Sequence, residues 1–344
     1  MPTHLLRNRL IYFVIGLVFL IGVFLFVGFG YYLSTPAEKG GDDQVFFVRD
    51  GSTLNEVTSE LESKRIITGK RLFLLWARLM GYSRSIKAGE YRLSSAMPPL
   101  KILEILSKGA VITHPVTIPE GYTIKQIGEL LEEKGLVKNE EFLAITGDPD
   151  VAKRYDISGQ SLEGYLYPDT YQFGRGLSPM SVVEVIVKHF WEVIGPLREK
   201  IEQSGMTIEE VITLASIVEK ETGRAEERPI IASVFLNRLK KRMRLESDPT
   251  VIYGIKDFSG NLKKKHLTQR TPYNTYVIRG LPPGPIANPG KEAIEAVLFP
   301  AKTDYLYFVS KNDGSHYFSK TLVEHNKAVE IYQKKKRMRR KKSS

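Results

Sequence analysis

Two carboxylates close an otherwise apolar stretch, Ala215-Ser-Ile-Val-Glu-Lys-Glu-Thr-Gly223, and they stand two residues apart, at Glu219 and Glu221. A glutamate against an apolar wall loses the hydration of its charged form, so its pKa rises and it can keep a proton near neutral pH. Such a group can pass that proton to a leaving oxygen, as a general acid does at a glycosidic bond. The plainer alternative is a surface ion pair with Lys220, Arg224 or Arg228. On a helix turning about 100° per residue, Leu214, Val218, Val211 and Ala215 form the buried face, and Glu209, Thr213, Ser216 and Lys220 the solvated one. Glu221 then lies about 70° from the apolar centre and Glu219 about 90° on the other side, which leans toward Glu221.

Other chemistries find no support. No histidine pair has metal-ligand spacing, there is no cysteine, and no G-x-S-x-G, G-x-G-x-x-G or phosphate-loop pattern occurs. No cofactor and no metal are therefore expected.

The elements that must position these residues can be read from caps and periodicity. Thr207 with Glu210 has the capping-box spacing and opens the helix that carries Glu221, with Gly223 as its stop. A second helix follows Pro229 and turns Ile230, Ile231, Val234, Phe235 and Leu239 inward. Upstream, a weak repeat at an offset of 70 relates Val48-Ile66 to Ile118-Leu136, each copy a strand, a glycine turn and a helix capped by Thr53 with Glu56 or Thr123 with Gln126. A third unit lies between them, with Gly89–Leu93 as strand and Leu100–Leu106 as helix.

Residues Leu10–Leu33 carry no charge and would span about 36 Å as a helix, enough for a bilayer core of about 30 Å. The run is too long for a signal-peptide core, and Ser34-Thr-Pro-Ala-Glu makes a poor cleavage site. Arg7 and Arg9 before it, against Glu38, Asp42 and Asp43 after it, place the N-terminus in the cytoplasm and the rest outside. The net charge is +11, but eight basic residues sit in the last eleven, leaving +3 for the remainder. That basic tail is also outside, where nucleic acid is not an expected partner; it reads as a solvated segment or one drawn to anionic headgroups.

Several stretches in order carry a family resemblance: EGYLYPDTY (163–171), ASIVEKET, ASVFLNRL, SDPTVIYG, TPYNTY, GLPPGPIANPG and YLYFV. Together they resemble the YceG-like family of endolytic murein transglycosylases over nearly the whole chain. The strand, turn and capped helix from Phe46 also look like a LysM-type module, a fold class that binds N-acetylglucosamine-containing glycans. The fold class implied is α+β: a transmembrane helix (10–33) after a cytoplasmic N-terminus (1–9), a linker (34–44), a LysM-like small α+β module (45–149), a mainly helical α+β catalytic domain with lysozyme-like character (150–333), and the basic tail (334–344).

By the same resemblance the catalytic residue is Glu221, the second glutamate of E-K-E-T, and it serves as both acid and base. The implied partners are peptidoglycan glycan strands, the inner membrane crossed once, and peptidoglycan synthases. Asn237 and Asn274 are candidates to hydrogen-bond sugar hydroxyls or N-acetyl groups, and Tyr253, Tyr273 and Tyr276 to stack on sugar faces. Glu163 and Asp169 are candidate cleft residues. Asp248 is either a substrate contact or the cap of a helix begun by Pro249. Glu246 stands where relatives often carry glutamine; facing the cleft, its charge would raise the pKa of Glu221. His316 and His325 are expected at the surface or in the core, and Glu219 either at the surface or just behind the residues that touch substrate.

Overall fold

The computed structural model describes residues 3–82, 86–256, 258 and 260–334. From residue 335 on, the expected basic tail lies outside the described residues, as do residues 1 and 2 of the expected cytoplasmic N-terminus. The chain divides into two compact units, Met1–His114 with Gln172–Leu177, and Pro115–Tyr171 with Ser178–Ser344.

In the first unit α1 (Thr3–Ser34) contains the span Ile11–Ser34, long and apolar enough to cross a membrane. Strand β1 (Asp43–Val48) follows, then α2 (Leu54–Ser63), α3 (Lys70–Leu79), β2 (Gly89–Ser94) and α4 (Pro99–Lys108). β1 and β2 pair antiparallel, with Phe46 opposite Tyr91. Alternate residues of both strands meet the apolar stripes of the helices, so Phe46, Leu61, Phe73, Tyr91 and Ile102 form a closed core. The Thr53 hydroxyl accepts from the Glu56 amide while the Glu56 carboxylate accepts from the Thr53 amide, the reciprocal cap expected of the sequence. The expected linker (34–44) is tied to the unit by hydrogen bonds. The Glu38 amide donates to the Ser95 carbonyl and the Ser94 hydroxyl to that of Gly41.

The division between units falls within β3 (Thr113–Thr117) and its partner β4 (Thr170–Gly174). The second copy of the repeat, whose helix α5 (Ile124–Glu133) is capped by Thr123 and Gln126, thus belongs to the second unit, whereas the sequence reading kept 45–149 together. Helices α6 (Asn139–Thr146), α7 (Pro149–Arg154), α8 (Pro179–Ile194) and α9 (Arg198–Ser204) lead to α10 (Ile208–Glu221) and α11 (Arg228–Lys240). After them come α12 (Asp248–Tyr253), α13 (Lys264–Leu267), α14 (Lys291–Leu298), the antiparallel pair β5 (Tyr307–Ser310) and β6 (His316–Ser319), and α15 (Leu322–Val329).

α10 is the central element, packed against both α11 and α14. Its Thr207–Glu210 capping box forms as expected. The solvated face assigned to Thr213 and Ser216 does not exist: every residue from Val211 to Val218 is buried. The proline-rich loop covers that side, and the Ser216 hydroxyl accepts from the Ile286 amide and donates to the Thr213 carbonyl, so its burial leaves no polar atom unpaired. Nor does Gly223 stop the helix through a left-handed turn; Thr222, at φ −145° and ψ 138°, leaves it in extended conformation.

Candidate active site

Glu221 is the last residue of α10, where the extended Thr222 breaks the helix. Its side chain is half-buried and lines a cavity of about 390 Å³ with Arg238, Leu245, Glu246, Asp248, Tyr276, Phe308, His316 and His325 among the wall residues. Burial pushes its pKa up to about 7, and the charge of Asp248 adds to the rise; the Ser247 hydrogen bond and Arg238 work against it. A group so placed keeps a proton near neutrality and faces a space large enough for a ligand.

Ser247 holds it. The hydroxyl donates to Glu221 Oε1 at 2.5 Å, while the Ser247 amide is fixed by the Thr275 hydroxyl at 2.9 Å. The sequence reading passed over this residue, because the Asp-Pro helix-start signal drew attention to Asp248. Ser247, not Asp248, stands at the N-cap of α12 without a side-chain capping bond, its hydroxyl given to Glu221, and Asp248 is that helix's first residue. The Asp248 carboxylate instead accepts from the Tyr276 hydroxyl at 2.7 Å, on the cavity wall. A serine three residues before a Thr-Val-Ile helical run was the available signal.

Glu246 does line the cavity, in left-handed backbone at φ 52°, but its carboxylate pairs with Arg238 at 3.2 Å. The like charge acting on Glu221 is that of Asp248. Arg238 is itself committed, donating to the carbonyls of Leu306, Arg244 and Leu245 and lying over the Tyr307 ring.

Both histidines belong to the cavity wall, which corrects their assignment to surface or core. His316 Nδ1 lies 2.7 Å from the Glu227 carboxylate, which also accepts from the His316 amide. Burial pushes the Glu227 carboxyl up, but the His316 hydrogen bonds outweigh it and hold it below its usual value. His325 stacks on Tyr307, and burial followed by the Arg238 charge lowers its pKa.

Glu219 is neither at the surface nor in the cavity. Its carboxylate accepts from Arg228 at 2.9 Å and from the Gly290 amide at 3.1 Å, and its side chain is only 6% exposed. Burial raises its pKa, as expected for a carboxylate inside the fold. Arg228 also pairs with Glu120 and Glu292, so the surface ion pair weighed for Glu219 forms in the interior.

The remaining candidates lie outside the lining of this cavity. Glu163 is buried and accepts from the Ile124 amide, the Tyr253 hydroxyl and Asn288 Nδ2, all within 3.1–3.2 Å. It therefore does not line the Glu221 cavity as expected of a cleft residue. Gly164 makes this possible: at φ +90° it passes so close to Pro285 that a Cβ would lie 2.5 Å from it. Tyr253 packs edge-on against Tyr273, away from the Glu221 cavity. Asn274 Nδ2 is consumed by the carbonyls of His266, Leu267 and Gln269, and Asn237 Nδ2 by those of Thr303 and Tyr305. Each Nδ2 thereby pins a loop that has no ladder of its own. Asp169 is exposed and pairs with His189 at 2.8 Å. Of the sequence candidates, the cavity gathers Glu221, Asp248 and Tyr276.

Fold and site together define a class: a mixed, mainly helical α+β protein behind an apolar N-terminal helix, with one half-buried glutamate opening into a polar cavity. The chain belongs to the YceG-like family, whose sequence profile matches residues 46–331. It is similar to the endolytic murein transglycosylase of Bacillus subtilis, 33% identical over 90% of each chain. It is also similar to that of Streptococcus pneumoniae, 29% identical over 82% of this chain and 57% of the relative. A crystal structure of a yceG-like protein from Listeria monocytogenes matches with TM-score 0.59 and 36% identity, covering 84% of this chain and 100% of that one.

Proposed function

We propose that this protein is an endolytic murein transglycosylase that cuts the N-acetylmuramic acid–β-1,4–N-acetylglucosamine bond inside glycan strands and leaves 1,6-anhydro-muramyl ends. The observation that carries the chemistry is Glu221, a carboxyl raised to about 7 at the wall of a cavity of about 390 Å³. Protonated Glu221 gives its proton to the glycosidic oxygen as oxocarbenium-like charge develops at C1. The carboxylate so formed takes the proton of the muramyl C6 hydroxyl, whose oxygen bonds to C1 and closes the ring. No water enters, so one carboxyl suffices where most glycosidases use two. Ser247 donates to the carboxylate and so steadies it between the two steps. Tyr276 and Asp248 are the polar wall residues placed to meet the sugar.

The rest of the reading follows the family. α1 anchors the chain once in the cytoplasmic membrane with residues 1–9 inside, and the 150–333 region carries a lysozyme-like catalytic role. The module from residue 45 serves as a LysM-like glycan contact, and synthases that extend the strands are the fitting protein partners. Termination of nascent strands is the biological outcome such an anchored endolytic enzyme would have.

Mass spectrometry of digested peptidoglycan tests the proposal. Anhydro-muramyl ends from wild type and none from Glu221→Gln are expected. Reducing ends would assign a hydrolytic muramidase using the same glutamate, and glycan binding without cleavage by either protein would assign a wall-binding scaffold.

A further inference from the structure

α3 keeps an apolar face that its own unit does not cover. Within the 10-residue helix Phe73 and Ala77 are buried, whereas Leu75 is 49% and Leu79 67% exposed, with Leu72 and Met80 exposed beside them. At about 100° per residue, Leu75, Leu79 and Leu72 occupy an arc of about 60°, with Met80 about 80° beyond Leu72. Arg78 and Arg71 border the arc on one side and the buried Phe73 on the other. An apolar strip with arginines along one edge, on the outward side of a helix whose inward side is packed, is the pattern of a helix lying in a bilayer interface.

Position supports the same occupant. The Phe29 ring of α1 meets the Trp76 ring of α3 edge-on at 5.6 Å, and the Tyr32 hydroxyl donates to the Thr68 carbonyl at 2.6 Å, just before α3 begins. Phe29 lies five residues before Ser34, so the contact falls about 7–8 Å from the end of the span at about 1.5 Å per residue. With about 36 Å of helix centred on a hydrocarbon core of about 30 Å, about 3 Å overhangs at each end, so the contact falls about 4–5 Å inside the core, among the upper acyl chains just below the headgroup boundary. Tyr31 and Tyr32 stand at this level, where interfacial tyrosines collect.

We propose that α3 is a membrane-interfacial helix, with Leu72, Leu75, Leu79 and Met80 seated among the upper acyl chains and Arg71 and Arg78 reaching anionic headgroups of the bilayer that α1 crosses. The proposal rests on α1 spanning the membrane. It makes the first unit a platform laid on the bilayer instead of a body tethered above it.

The absence of cysteine makes the test clean, because one introduced cysteine takes one label. Full-length Phe24→Cys, Leu75→Cys, Leu79→Cys and Asn55→Cys proteins, each carrying a bimane probe, are placed in phosphatidylcholine–phosphatidylglycerol vesicles containing lipid with a nitroxide high on the acyl chain. Quenching at positions 75 and 79 severalfold above that at position 55, together with quenching at position 24, is the expected result. Quenching at position 24 alone overturns the interfacial helix and leaves the anchor standing. Quenching at none of the four removes the anchor and the proposal with it. Probes at 75 and 79 shielded from water yet unquenched by lipid would give the face to a second copy of the chain and overturn the proposal.

Discussion

Glu221 and Glu163 are both carboxyls that burial pushes far above the ordinary range, to about 7 and about 8, yet their surroundings are opposite. Glu163 is enclosed and receives donors from a helix start, a tyrosine and an asparagine. Glu221 has one hydroxyl donor and opens into a cavity. The more perturbed of the two is the one enclosed by its own donors. A raised pKa therefore marks loss of water, and only access to a space that can hold a ligand makes it chemically useful.

The largest expected effect separates the pair by activity. Glu221→Gln should lower cleavage by about 10³-fold, within the range for removal of a general acid, while Glu163→Gln stays within about tenfold of wild type. Release of anhydro-muramyl fragments reports both. Near-equal losses would break the comparison, and a comparable loss in Glu219→Gln would move the proton donor to the other carboxylate.

Stability should separate them in the reverse sense. Glu163→Ala leaves the Ile124 amide, Tyr253 and Asn288 without their acceptor, a cost of about 3 kcal/mol or more, whereas Glu221→Gln costs under about 1 kcal/mol. Thermal melts of the detergent-solubilised proteins give the ordering. The pH dependence follows from the same raised values. Between about 4.5 and 8 the folded state holds protons that the unfolded chain has released, so stability falls as pH rises through that window. Glu163→Gln should flatten the fall up to about pH 8, and Glu221→Gln only the part below about pH 7.

Smaller effects sharpen the view of Glu221 as a tuned group. Ser247→Ala should lower the rate about tenfold, the value of one hydrogen bond to a charged group. It should also move the alkaline limb of the pH–rate profile, near pH 7, upward, since that bond lowers the pKa. Asp248→Asn removes a neighbouring negative charge and should move the limb downward by about half a unit or less, because the carboxylate is exposed to screening solvent.

Local rules made much of the molecule legible. Capping boxes at Thr53, Thr123 and Thr207 form as their spacing predicts, because each is settled within four residues. The two-faced picture of α10 failed because what covers Ser216 is Ile286, 70 residues away, and helical periodicity carries no knowledge of distant loops. The same limit applied to the site. Glu221 is legible as a candidate in its own helix and in the family resemblance, but Ser247 and His316 reach its cavity only through tertiary contacts. Asn237, Asn274 and Glu163 show a related limit: a polar residue in an aromatic loop looks alike in sequence whether it faces a cavity or bonds to its own chain.

The cavity wall runs from Glu221 to His325 and so is assembled from widely separated stretches. A chain emerging N-terminus first presents the proton donor about a hundred residues before the second histidine follows, a delay of about 5–20 s at ordinary synthesis rates. During that interval the glutamate exists without the walls that dehydrate it, and its pKa is that of a solvated carboxyl, which is ionised at neutral pH. The proton donor proposed above thus acquires its raised pKa only once the chain is nearly complete.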